Sequence, residues 1–210
     1  MFYETAGNAH GLPRDPFKSL VVPRPIGWVS SLDREGVLNL APYSYFNAVS
    51  DNPHYVVLGS SHRKDSLNNI LETGEFVCSM ATFAHRVEQN VTSADVAPAV
   101  NEFDIARLET AASRLVAPPR VAGAPAALEC KLYKTFDLPA IVPGGKAGYT
   151  MIVGYVVGVY IDDAFIKNGF VDTAAMQPIA RLGYMDYATV TPESTFTLNR
   201  PQLRPDGSIG

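Results

Sequence analysis

The sequence is short of the residues that most often announce chemistry. It holds two cysteines and four histidines in 210 residues. Cys78 and Cys130 both sit in apolar, strand-like surroundings, Phe76-Val77-Cys78 and Leu128-Glu129-Cys130. They read as buried, inert thiols and not as a disulfide. His10, His54, His62 and His85 show no metal-ligand spacing. No G-x-G-x-x-G follows a strand, which excludes a Rossmann nicotinamide site. Gly144-Gly145-Lys146 resembles part of a phosphate-binding loop, but Ala147 stands where Ser or Thr is required and Ala140 where the first Gly belongs. A G-x-S-x-G nucleophile elbow is also missing.

Charge and long apolar runs are scarce too. There are 17 basic and 21 acidic residues, a net charge of −4, and no basic tract. The electrostatic footprint of a nucleic-acid binder is therefore absent. The longest apolar run, Met151 to Ile161, contains two glycines and is too short for a bilayer span. Met1-Phe2-Tyr3-Glu4-Thr5 lacks the basic and apolar regions of a signal peptide, so a cytoplasmic protein without a membrane partner is expected. With 47% hydrophobic residues the chain can build one sizeable core, and a single domain over 1–210 is the expectation.

What is present is mostly strand. Residues 1–16 read as an irregular arm, which runs on through a Pro-rich stretch to residue 25. Ile26 to Leu32 and Val37 to Tyr45 form a hairpin around the turn Asp33-Arg34-Glu35-Gly36. His54 to Gly59 is an apolar strand. A helix follows, with Asp65 as its cap, Leu67, Ile70 and Leu71 at helical spacing, and Gly74 as its left-handed end. Glu75 to Ala81 is a strand, and His85 to Ala94 a short amphipathic helix with Val87 and Val91 four apart. Residues 95–125 form an excursion without a clear strand. Ala126 to Phe136 and Tyr149 to Asp162 are long strands, joined through Pro139 and Pro143-Gly144-Gly145, and the second is apolar on both faces, which places it inside the fold. Ile179 to Leu182 is a short strand, and 199–210 a Pro-rich tail that is loose or held by a partner. Many strands with few, short helices predict a mainly β protein, a barrel with peripheral helices.

Two stretches carry the functional signal. In the first, Asn39 to Ser50, small, aromatic and amide-bearing residues let a flat ligand lie against the backbone. An extended Tyr43 to Ala48 would put Tyr43, Tyr45 and Asn47 on one face and Ser44, Phe46 and Ala48 on the other. The second is Ser60-Ser61-His62-Arg63-Lys64-Asp65-Ser66. It joins the hydroxyls of Ser60, Ser61 and Ser66 and the charges of Arg63 and Lys64 to the unpaired amides of a helix start. An apolar strand links the two, so a planar group and an anion can be held at its ends, as flavin mononucleotide requires. Trp28 is a candidate wall for the ring. Taken alone, the first stretch also fits a plain barrel strand, the second a solvated helix start, and Trp28 a core residue.

The order of the motifs favours the flavin. Pro23-Arg24-Pro25-Ile26-Gly27-Trp28-Val29-Ser30, Asn39 to Ser50, Arg63-Lys64-Asp65-Ser66 with Asn69-Ile70, and Thr73-Gly74-Glu75-Phe76-Val77 come in that order. Asn101-Glu102-Phe103, Leu128-Glu129-Cys130 and Ala180-Arg181-Leu182-Gly183-Tyr184 with Tyr187 complete the set. In this the chain resembles the flavin reductase-like, FMN-binding split-barrel family, which includes flavoredoxin and the reductase components of two-component monooxygenases. The resemblance implies a split β-barrel that forms a homodimer, with FMN (or FAD) near the interface. The ring would lie on Ser44, Tyr45, Asn47 and Ala48 and the phosphate on Ser60 to Ser66. It implies NAD(P)H as electron donor and flavin reductase activity, with a monooxygenase or other acceptor protein as partner. A tightly bound FMN in an electron carrier, or a non-catalytic flavin-binding protein, are the other readings. The chain departs from the family at Ser66, where Thr is usual, and at Tyr184, where a second Gly often follows Leu-Gly.

Overall fold

The structure is a computed structural model that describes residues 1–61, 63–97, 100–140 and 148–204. In chain order its strands are β1 Arg24–Pro25, β2 Gly27–Leu32, β3 Leu38–Tyr43, β4 Phe46–Asp51, β5 His54–Ser61, β6 Glu75–Met80, β7 Thr110–Ala111, β8 Arg120–Val121, β9 Ala126–Leu138, β10 Tyr149–Ile161, β11 Ile166–Lys167, β12 Phe170–Val171, β13 Ile179–Arg181 and β14 Tyr187–Thr189. Its α-helices are α1 Phe17–Leu20, α2 Asp65–Thr73, α3 Arg86–Val91, α4 Glu102–Ile105 and α5 Thr173–Met176. Seven strands form one antiparallel sheet in the order β3-β2-β6-β9-β10-β5-β4.

That order dictates the shape. The edge strands β3 and β4 are consecutive in the chain and separated only by Ser44 and Tyr45. In a flat sheet the two edges would lie roughly 29 Å apart, at about 4.8 Å per strand step. The chain from Tyr43 to Phe46 spans at most about 11 Å. The sheet must therefore curl until its edges meet, and Ser44 and Tyr45 sit at the seam.

Inward residues of the curled sheet form the main core, with Val29, Leu58, Phe76, Cys130 and Ile152 buried together. Helix α2 closes one end, adding Leu67 and Ile70 to this cluster. Gly74 (φ 74°) ends that helix, its N–H donating to Ile70 O. On the outer face, Trp28, Leu40, Phe103, Val121 and Ile179 form a second cluster beneath the excursion. A small sheet β1-β13-β14 completes that side.

Several expectations change in detail. Asp65 is the first helical residue and makes no cap bond; Lys64 holds the cap position in extended conformation. Leu71 is 38% exposed, because α2 buries the face of Ser66, Leu67, Asn69 and Ile70 instead. Val87 is 61% exposed, and the buried residue of α3 is Gln89. Strand β10 lies inside the sheet between β9 and β5, yet its outer face leaves Tyr155 and Val159 exposed. The excursion does hold strands, the two-residue pair β7 and β8. The Pro143-Gly144-Gly145 joint, Lys146, His62 and the end of the tail lie outside the described residues. Cys78 and Cys130 are buried and free, as expected. No helix among the described residues is long and apolar enough to cross a membrane.

Candidate functional site

The seam is fixed by close packing. Tyr45 O accepts a hydrogen bond from Gly59 N at 2.8 Å. A Cβ at residue 59 would lie 3.3 Å from both Tyr45 Cβ and Met151 Sδ, so a glycine lets the two edges come this close. Tyr149 pairs with Ser61 across β10 and β5, and its ring meets Tyr45 edge-on at 5.4 Å between centroids. Lys18 Nζ, from the arm, stands 5.9 Å from the Tyr45 ring centre.

Two clefts open from this corner and share Ser44, Tyr45, Gly59 and Tyr149 as a common wall. The first, about 400 Å³, is polar, lined among others by Lys18, Tyr43, Ser61, Lys64, Asp65 and Ser66. The start of α2 lies on it. The amides of Asp65, Ser66 and Leu67 precede the first turn's closing bond, Asn68 N to Lys64 O at 3.0 Å, and so have no acceptor within the helix. Segment Thr92 to Val96 forms the opposite wall. Lys64 Nζ lies 3.7 Å from Asp95, but both side chains are largely exposed, so the pair binds weakly and leaves the lysine available. Lys18 and Lys64 face three carboxyls, Asp65, Asp95 and Glu102. An anion here is therefore held by amides and hydroxyls as much as by net charge.

Beneath the polar cleft lies a buried network. Glu102 accepts from Leu40 N and Asn39 Nδ2, both at 2.9 Å, and Asn39 Oδ1 accepts from Ser66 Oγ at 2.6 Å. Burial raises the Glu102 pKa, opposed by the hydrogen bond from Leu40 N. Burial likewise raises that of Tyr43, opposed by the neighbouring Ser66 and Ser60 hydroxyls. The Tyr43 hydroxyl makes no hydrogen bond of good geometry at the cleft wall.

The second cleft is an apolar groove of about 720 Å³ running from the corner along the arm, with Phe17, Val22, Phe46, Leu138 and Met151 among its walls. A polar, amide-lined cleft joined to an apolar groove suits a ligand with an anionic end and a flat, largely apolar end.

The residues expected from sequence divide accordingly. Ser44 and Tyr45 form the corner, and Ser61, Lys64, Asp65 and Ser66 line the polar cleft. Ser66 faces it with a hydroxyl already donated to Asn39. Ser60 is fully buried behind it. Asn47 lines the groove but spends its Oδ1 on Ala48 N at 2.9 Å. Ala48 is exposed and lines neither cleft. The expected alternation from Tyr43 to Ala48 is broken, because the chain bends at Ser44 and Tyr45 to pass from one edge of the sheet to the other. Arg63 points away, lining a separate depression with Leu67, Leu71 and Thr135. Trp28 is no ring wall. It is fully buried on the outer face of β2, with Nε1 donating to Thr92 Oγ1 at 2.9 Å. Lys18, Gly59, Tyr149 and Thr92 to Val96 were not expected. Only Gly59, a glycine closing an apolar strand, carried a local signal. At the 182–186 corner Tyr184 adopts φ 52°, the left-handed region that a glycine would take freely.

The fold that builds this corner belongs to a known architecture. The model of the flavin reductase like domain matches residues 19–177, and the chain belongs to that family. An uncharacterised protein of Aquifex aeolicus is 37% identical over 172 residues, covering 78% of this chain and 83% of that one. Among solved structures, a 2-nitrobenzoate 2-nitroreductase of Pseudomonas fluorescens superposes with a TM-score of 0.82 at 29% identity, over 98% of both chains. Nitrilotriacetate monooxygenase component B of Bacillus cereus gives 0.82 at 29% identity, over 94% and 98%. A flavoredoxin of Desulfovibrio vulgaris, at 18% identity and a TM-score of 0.74 over 85% and 91%, shares the fold. The barrel is thus the flavin reductase split barrel.

Proposed function

We propose that this chain binds FMN and acts as an NAD(P)H-dependent flavin reductase that supplies reduced flavin. The observation that carries this reading is the pair of unlike clefts sharing one wall at Ser44, Tyr45, Gly59 and Tyr149. Lys64, Ser61 and the first-turn amides of α2 would hold the phosphate, with Lys18 as a second cation at the same cleft. The backbone of Ser44 and Tyr45 would meet the polar rim of the ring, and the paired rings of Tyr45 and Tyr149 would exclude water from its edge. Bound flavin supplies the redox chemistry, taking hydride from a reduced nicotinamide. The chain need donate no acid or base to that transfer; it aligns two flat reactants against an apolar wall. FAD would need its adenylate to leave the cleft for solvent.

Fluorescence titration of FMN, followed by steady-state NADH and NADPH oxidation with excess free flavin, tests the reading. Saturable FMN binding with sustained turnover is expected. Reduction that stops after one equivalent of bound flavin would instead indicate an electron carrier for a partner protein. A chain that binds no FMN overturns the proposal.

A further inference from the structure

We propose that Asp95 competes with the flavin phosphate for Lys64 and so eases release of the flavin. The inference rests on the flavin reading of the polar cleft and adds to it a residue that limits how tightly the flavin is held. Asp95 reaches the cleft from an anchored turn. Trp28, fully buried, donates from Nε1 to Thr92 Oγ1 at 2.9 Å, and that hydroxyl donates in turn to Gln89 O at 2.9 Å. Thr92 N donates to Glu88 O at 3.0 Å, Ser93 N to Asn90 O at 3.1 Å and Ala94 N to Val91 O at 3.1 Å. The chain thus leaves α3 along a held path and brings Asp95 to the cleft wall that faces the start of α2. There its Oδ1 lies 3.7 Å from Lys64 Nζ.

Packing does not account for this carboxylate. The Asp95 side chain is 98% exposed, and Lys64 is its one ion-pair partner among the described residues. Its effect therefore falls on the cleft. A phosphate oxygen that engages Lys64 takes the place the carboxylate holds, and the carboxylate left beside it repels the phosphate. With Asp95 the cleft sets two lysines, Lys18 and Lys64, against three carboxyls; without it the two signs are equal in number. An exposed pair of this kind shifts an equilibrium by no more than about fivefold. That is too little to exclude the ligand and enough to raise its dissociation constant severalfold. A chain that supplies reduced flavin must let it go, and a carboxylate that re-engages the lysine as the phosphate departs serves that release.

Fluorescence titration of FMN and riboflavin at low ionic strength tests this on the wild type, Asp95→Asn, Lys64→Ala and the double variant. Asp95→Asn should bind FMN about two- to fivefold more tightly, with riboflavin, which has no phosphate, unchanged. The gain should be smaller on the Lys64→Ala background and should shrink toward about 1 M salt, where the screening length falls to about 3 Å. Thermal unfolding should be the same with and without the Asp95 substitution, because the side chain is exposed. Unchanged or weaker FMN binding by Asp95→Asn, an equal gain for riboflavin, or an equal gain on the Lys64→Ala background would each overturn the proposal. If none of the four proteins binds FMN, the flavin reading falls, and calorimetry with inorganic phosphate still decides the competition. Tighter phosphate binding by Asp95→Asn than by the wild type sustains it; equal or undetectable binding overturns it.

Discussion

Lys64 is the residue on which the phosphate end of the site can be tested. Its exposed pair with Asp95 contributes at most about 1 kcal/mol, so its removal should hardly affect stability. A charge-assisted contact to phosphate is worth roughly 1.5–3 kcal/mol. Lys64→Ala should therefore weaken FMN more than about tenfold and leave riboflavin, which lacks the phosphate, nearly unchanged. Equal losses for both ligands would make Lys64 a structural residue. Ser66 is the poorer probe: its hydroxyl already bonds Asn39, so its loss would disturb the buried network as well as the ligand.

At the scale of elements, the site depends on α4, a helix of the excursion far from the corner in sequence. Glu102 reaches from α4 to β3 and accepts from Leu40 N and Asn39 Nδ2, tying the excursion to the strand that leads into the corner. Glu102→Gln replaces one acceptor by a donor facing a donor. It should cost about 1–3 kcal/mol in denaturant unfolding at pH 7. The pH dependence has a definite sign. Burial raises the Glu102 pKa in the folded state, so the folded chain binds this proton more readily than the unfolded one. The group's contribution is then greatest in acid and falls as pH rises through the folded pKa. The stability difference between wild type and Glu102→Gln should grow as pH is lowered from 7 into the carboxylate range; a constant difference would place the charge in contact with water. Legibility follows the same division between local and distant causes. Helix α2 could be read because Leu67, Ile70 and Gly74 encode its face and its end locally. The bend at Ser44 and Tyr45 could not, because the flanking pattern looks like one continuous strand and closure of the sheet is what breaks it. Trp28 misled for a related reason: alternation places it on one face of β2, but only the fold shows that the excursion covers that face. Lys18 and Tyr149 reach Tyr45 from opposite ends of the chain, and no local spacing records that meeting.

The whole molecule leaves apolar surface uncovered. Phe17, Leu20 and Val21 on the arm are 53%, 72% and 51% exposed, and Phe196 and Leu198 just before the tail and Leu203 on it are 80%, 83% and 76% exposed. Apolar side chains left this exposed are candidates for burial against a partner. We expect a two-fold homodimer, the commonest closed assembly, in which one copy's arm or tail covers apolar surface of the other. The arm borders the corner through Lys18 and the groove through Phe17 and Leu20, so an interface there would lie beside the flavin. A ligand that binds the dimer more tightly than the monomer shifts the population toward the dimer by mass action. Sedimentation of flavin-free and FMN-loaded protein over a dilution series measures both effects. A dimer whose dissociation constant falls with FMN is expected. A monomer in both states removes the dimer. A dimer indifferent to FMN keeps the assembly but moves its interface away from the corner, leaving the arm to order the site within its own chain.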